Sequence, residues 1–158
     1  MQEKTDDTEL LVHDYFQEIT YHYSAGAHAS RFFHEIQKNR KIYGNKCPTC
    51  SKVYVPPRVV CPECYEELNE WVEVGPQGVV IGCTAVNLAF PDPLTGKVRE
   101  TPYGFGLIRL DGCSTNWMFF LEESSYEKMK PGMRVEAVFA QERKGDLNDI
   151  LYFRTVEE

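Results

Sequence analysis

The chain has 158 residues, room for one medium domain with small attachments, and its 42 % hydrophobic and 26 % charged residues are the balance of a folded soluble protein. A net charge of −7 argues against a nucleic-acid binder, which neutralises phosphates with clustered Lys and Arg. No apolar run approaches the roughly 20 residues needed to span a bilayer, and the opening MQEKTDDTE is too charged for a signal peptide, so a cytoplasmic protein with no membrane role is expected.

Residues 1–8 are polar. From Thr8 to Tyr23, the residues Leu11, Val12, Tyr15, Phe16 and Ile19 recur at three- and four-residue spacing, which predicts a helix that Ser24-Ala25-Gly26 breaks. A second helix is predicted over Ser30–Asn39, with Ser30 as N-cap and Phe33 and Ile36 facing inward. Each helix is apolar on one side only and must dock, on the rest of the chain or on a partner subunit. His13, His22, His28 and His34 all fall in this region without a ligand spacing and read as helix-surface residues.

Lys41–Lys46 reads as a short strand. The stretch KVYVPPRVV (Lys52–Val60) is β-rich, but Pro56 and Pro57 cannot donate ladder hydrogen bonds, so it suits a tip or an edge. Further strands are predicted at Trp71–Val74, Val79–Leu88, Tyr103–Leu110, Trp117–Leu121, Arg134–Gln141 and Ile150–Val156. Gly75–Gly78, Asp111-Gly112, Pro131-Gly132 and Lys144–Asp146 supply turns, Ser125–Met129 a short helix, and Phe90–Pro102 a long polar loop. Short strands at this density predict a small barrel, of which the OB-fold is the common form. The fold class is therefore α+β, mainly β: N-terminal helices (1–40), a four-cysteine zinc ribbon (41–70) and a C-terminal OB-fold barrel (71–158).

Cys47-Pro48-Thr49-Cys50 and Cys61-Pro62-Glu63-Cys64 are separated by ten residues. Two residues between the sulfurs of a pair let both face one ion, and two such pairs close a tetrahedron with Zn–S distances of about 2.3 Å. Four thiolates leave no open position, so the site is structural and not hydrolytic. Iron in a rubredoxin-like site uses the same donors. Cys83, inside a predicted strand, reads as a small core residue, and Cys113, in the turn DGCSTN, as a more exposed one. Neither has a histidine near it in sequence, and no GxGxxG, Walker or GxSxG motif is present, so no catalytic residues are assigned.

CPTCSKVYVPPRVVCPEC followed by Leu68, Trp71 and the Gly75–Gly78 turn resembles the DUF35 family, as do PYGFGLIRLDG (Pro102–Gly112) and KPGMRVEAVF (Lys130–Phe139). YSAGAHASRFF (Tyr23–Phe33) resembles the helical entry of a subgroup, so the likeness runs over about residues 20–156. The resemblance implies a helical segment, a zinc ribbon and an OB-fold in a non-catalytic accessory subunit. Its partner would be a thiolase-fold catalytic subunit acting on acyl-CoA thioesters, joined in a hetero-oligomer that holds the CoA thioester mainly in the partner.

Within that frame, the excursion between the cysteine pairs is expected to face the partner. Metal fixes both its ends, which lowers the ordering cost of binding, and Tyr and Arg are favoured interface anchors. Tyr54, Pro56, Pro57 and Arg58 are the expected contact residues, with Arg58 reaching a CoA phosphate. Val53 and Val55 either join them or pack beneath the ribbon. Two other functions compete: an OB-fold nucleic-acid binder with a zinc ribbon, stacking bases on Tyr103, Phe105, Trp117 and Phe119, and an independent enzyme or acyl-CoA carrier. The acidic charge opposes the first, and the missing nucleophile–base pair opposes the enzyme.

Overall fold

The computed structural model describes residues 12–14, 21–91 and 96–156. Of the first predicted helix, residues 8–11 and 15–20 lie outside the described residues, while 12–14 and 21–23 carry no regular structure. The second predicted helix is α1, Gly26–Asn39, and it begins four residues before Ser30. The reason lies in Ser24, whose hydroxyl accepts the Gly26 N–H at 3.1 Å and so meets a free donor of the first turn. The buried stripe of α1 is Phe32 and Ile36, four residues apart; Phe33 is half-buried and stands edge-on to Phe32.

Among the described residues, eight strands follow. Ile42–Lys46 (β1), Val53–Tyr54 (β2) and Glu70–Val74 (β3) form an antiparallel sheet in the order β2-β1-β3. Gly44 is required in β1, since a Cβ there would lie 2.8 Å from the Tyr54 carbonyl oxygen. The expected first barrel strand, Trp71–Val74, thus pairs with β1 in the ribbon sheet.

Gln77–Val86 (β4), Tyr103–Leu110 (β5), Trp117–Leu121 (β6), Arg134–Phe139 (β7) and Ile150–Thr155 (β8) close a barrel in the order β4-β5-β6-β8-β7. This five-stranded closure is the OB-fold. Strand alternation sends Val80, Ile108, Leu110, Trp117, Phe119, Leu121, Val135 and Phe153 into one core, with edge-on ring pairs among Trp117, Phe119 and Phe153. Trp117 and Phe119 are therefore core residues and not part of an outer stacking platform. Ser125–Met129 is a single turn closed by the Met129 N–H on the Ser125 carbonyl, and a 3-10 turn not foreseen in the sequence spans Leu147–Asp149.

Ribbon, helix and barrel are joined by specific contacts. The Val53 N–H donates to the Ser114 hydroxyl, and the Ser114 N–H returns to the Val53 carbonyl. Thr115 does the same for Val55 through one hydroxyl, which accepts from its N–H and donates to its carbonyl. The exposed edge of β2 is thus satisfied by the β5–β6 turn. Val53 and Val55 belong to the barrel core, so packing is their role. On the other side, Phe32 of α1 meets Trp117 at 6.0 Å, and the Arg143 guanidinium donates to the Gln37 carbonyl.

Candidate metal centre

The two cysteine pairs sit in two turns of the same construction. The Cys47 N–H donates to Lys52 and the Ser51 N–H to Cys47; in the second turn Cys61 donates to Glu66 and Tyr65 to Cys61. Ser51 and Tyr65 hold the corresponding left-handed position, with φ of 60° and 59°. A non-glycine residue in that region marks a tightly determined turn.

The four sulfurs of Cys47, Cys50, Cys61 and Cys64 lie within 4.8 Å of one another. Cys50 and Cys61 Sγ are 3.8 Å apart. A tetrahedral ZnS4 unit with Zn–S of about 2.3 Å has S···S edges of about 3.8 Å, so the donor set fits one zinc ion. Cys47 and Cys61 are fully buried, Cys50 and Cys64 half-buried. These four thiolates would hold the ion, whose contribution is a covalent-like clamp on two turns too small to fold on apolar burial alone.

Tyr54 belongs to this centre. The expectation that it faces a partner is overturned, because it is 3 % exposed and packs with Leu68 against Cys47 and Cys61. Its hydroxyl lies 3.3 Å from Cys61 Sγ. Burial alone would raise the Cys61 thiol, but that hydroxyl and the N–H groups of Glu63 and Cys64 outweigh it and bring the thiol down to about 6. The hydrogen bond to Cys61, and then burial, raise the Tyr54 phenol. A donor to a ligating sulfur stabilises its thiolate form.

The rest of the expected contact strip behaves differently. Pro56 and Arg58 are exposed and Pro57 half-buried. Arg58 is held by its backbone: its N–H donates to Asn45 Oδ1 at 3.1 Å, and Asn45 Nδ2 donates to its carbonyl. Asn45 is fully buried in β1 and also donates to the Leu68 carbonyl at 3.1 Å, so one side chain ties three segments of the ribbon. That carbonyl takes a second donor, His28 Nε2 of α1, at 3.2 Å. The His28 ring and the Arg31 guanidinium both lie against Trp71, 5.4 Å and 4.4 Å from its rings. Sequence reasoning assigned His28 to a helix surface and did not single out Asn45 at all. A buried asparagine leaves no periodic signal in a five-residue strand.

Of the remaining thiols, Cys83 is half-buried against the barrel core and raised by that burial. Cys113, expected to be the more exposed, also packs against the core, inside the turn that carries the ribbon. Burial, with Asp111 adding to it, pushes Cys113 up to about 12. Neither is an activated nucleophile. Among the described residues, the four ribbon cysteines are the one cluster of three or more His, Cys, Asp or Glu placed to hold an ion. No described helix is long and apolar enough to cross a membrane.

Comparison with known proteins places both modules. Residues 38–69 match the family described as ChsH2, rubredoxin-like zinc ribbon domain, and residues 71–140 match ChsH2, C-terminal OB-fold domain. A DUF35 domain-containing scaffold protein of Methanocaldococcus jannaschii is 28 % identical over 133 residues, covering 80 % of this chain and 90 % of that protein. A chain of the Ltp2-ChsH2(DUF35) aldolase superposes with a TM-score of 0.57 at 25 % identity, over 84 % of this chain and 98 % of that one. A DUF35 protein of unknown function from Sulfolobus solfataricus gives 0.56 at 21 % identity over 82 % and 84 %, a likeness of fold.

Proposed function

The chain belongs to the DUF35 family, with ribbon and barrel of the ChsH2 type, and from that premise we propose that it is a non-catalytic accessory subunit of a thiolase-superfamily enzyme acting on acyl-CoA thioesters. The strongest support is the alignment of ribbon and barrel together, over 98 % of its length, with a chain of a solved DUF35-containing aldolase. The curated relative named as a scaffold protein supports the non-catalytic role. The closed thiolate site agrees with it, since four sulfurs on one zinc leave no position for substrate.

In this assembly the thiolase-fold partner supplies the nucleophile and most of the CoA site. Helix α1, the ribbon sheet β1–β3 and the barrel β4–β8 are the helix, ribbon and barrel of the accessory chain, which resides in the cytoplasm. Exposed Pro56 and Arg58, with Pro57, face the partner, Arg58 toward a CoA phosphate. Within that class the candidate is the small subunit of benzoylsuccinyl-CoA thiolase of anaerobic toluene degradation, an enzyme that yields benzoyl-CoA and succinyl-CoA; the acyl pocket lies mainly in the partner, and the DUF35 motifs of this chain do not select the acyl group. Affinity purification of the tagged chain from its native extract tests the assembly. A stoichiometric thiolase-fold subunit is expected; a chain that elutes alone, or with nucleic acid, contradicts it.

A further inference from the structure

The outer face of the barrel's second and third strands carries a groove remote from the cysteines. Alternation turns Phe105 of β5 and Met118 and Phe120 of β6 outward, and the register sets Phe105 opposite Phe120 and Leu107 opposite Met118. A hollow of about 480 Å³ opens between these side chains, Leu147, Leu151 and Arg99. A second, of about 250 Å³, runs over Gly82 and Leu107 and shares Phe105 and Met118 with the first. The two form one trough, and the larger volume lies within the roughly 300–1,000 Å³ usual for small-molecule sites. Apolar side chains crowd it although water reaches them: Met118 is 63 % exposed, Leu147 47 % and Leu151 45 %.

One end of the trough is charged. The Arg99 Cζ stands 3.8 Å from the centre of the Phe120 ring and 5.7 Å from that of Tyr103. A guanidinium stacked on rings keeps its N–H edge for an acceptor. No ion pair joins Arg99 to a carboxylate among the described residues.

We propose that the trough binds an amphipathic organic acid, its ring-bearing or branched apolar body along Phe105, Met118 and Phe120 and its carboxylate on Arg99. A neutral hydrocarbon would make no use of the guanidinium at the end of the trough, whereas a carboxylate forms a charge-assisted hydrogen bond with it. A nucleic-acid strand needs several cations along its backbone, and the chain's net charge is −7. The site belongs to the isolated chain, so its test does not depend on the partner.

Calorimetry on the full zinc-loaded chain, with 4-phenylbutyrate and its neutral counterpart 4-phenylbutan-1-ol as probes, decides it. Saturable binding of the acid is expected, with the alcohol weaker by about fivefold, the scale of an exposed ion pair. Arg99→Gln removes that difference. Met118→Glu, or Leu151→Glu at the neighbouring wall, abolishes binding of both probes while zinc content and circular dichroism stay unchanged. Absence of saturable binding to the wild type overturns the site, as does an acid preference that survives Arg99→Gln or binding that survives both Glu variants. Loss of a protein partner from the native complex on Met118→Glu, with no probe binding by wild type, would make the trough a protein seat and overturn it equally.

Discussion

The Tyr54 hydroxyl lies 3.3 Å from the sulfur of Cys61, with the ring buried beneath the two cysteine turns. It converts a strand residue into part of the metal centre, because a donor to a ligating sulfur stabilises the thiolate against protonation. Tyr54→Phe keeps the ring and removes the donor. Zinc affinity is expected to fall by roughly ten- to a hundredfold, measured by competition with a chromophoric chelator, with the fold retained. Unchanged affinity would reduce Tyr54 to packing.

The same sulfur gives the sign of the pH response. Cys61 is held at about 6, below the ordinary 9.0 of a thiol, so its thiolate contribution is present above the unfolded value and fades as pH falls through about 6. Protons compete with zinc for the four thiolates, so zinc should leave on acidification, and Tyr54→Phe, which removes a donor to one of them, should move release to higher pH. Release at the same pH in both proteins would contradict this.

Metal removal should unfold the ribbon. Structural zinc contributes on the order of 10 kcal/mol or more in small four-ligand units, and apolar burial around the cysteine turns rests on Tyr54 and Leu68. About one zinc per chain is expected by elemental analysis, and Cys61→Ser should lose it. Well-folded native protein without metal would end the claim.

Asn45→Ala leaves the Arg58 N–H and carbonyl without their partner inside the ribbon, while the Leu68 carbonyl keeps the His28 ring. A loss of about 3 kcal/mol is expected in denaturant unfolding, since each buried group left unpaired costs on the order of 1–3 kcal/mol. A loss below about 1 kcal/mol would mean that water replaces the side chain.

Cys113, pushed up to about 12, stays protonated at neutral pH, and alkylation there should be slow and should rise with pH toward that value. Cys83→Ala and Cys113→Ala should leave turnover of the native complex largely intact. A large loss with assembly preserved would give one of these thiols a chemical role.

The cysteine pairs and the barrel strands were legible because spacing and alternation are local. What stayed hidden depends on distant partners. Trp71–Val74 reads as a strand, but only its pairing with β1 assigns it to the ribbon sheet. In Val53-Tyr54-Val55 the alternation says that one side differs from the other; that the tyrosine faces metal and the valines face barrel follows from Ser114 and Thr115, some 60 residues on. Ser30 reads as the N-cap from local pattern, and Ser24-Ala25-Gly26 as a break; that the helix already starts at Gly26, its N–H on the Ser24 hydroxyl, shows only in the folded chain. Asp149, buried and accepting from the Lys144 and Gly145 N–H groups, closes the last loop without any motif to announce it.

Reconstituted turnover tests the accessory role most directly. Thiolysis of benzoylsuccinyl-CoA with free CoA is followed for this chain alone, for the co-purified thiolase-fold subunit alone, and for the two combined. No turnover by this chain and full turnover by the pair, forming benzoyl-CoA and succinyl-CoA, is the expected result. Turnover on another acyl-CoA would correct the substrate and leave the role intact. Turnover by this chain alone, or a catalytic subunit equally active and stable without it, would contradict the role itself.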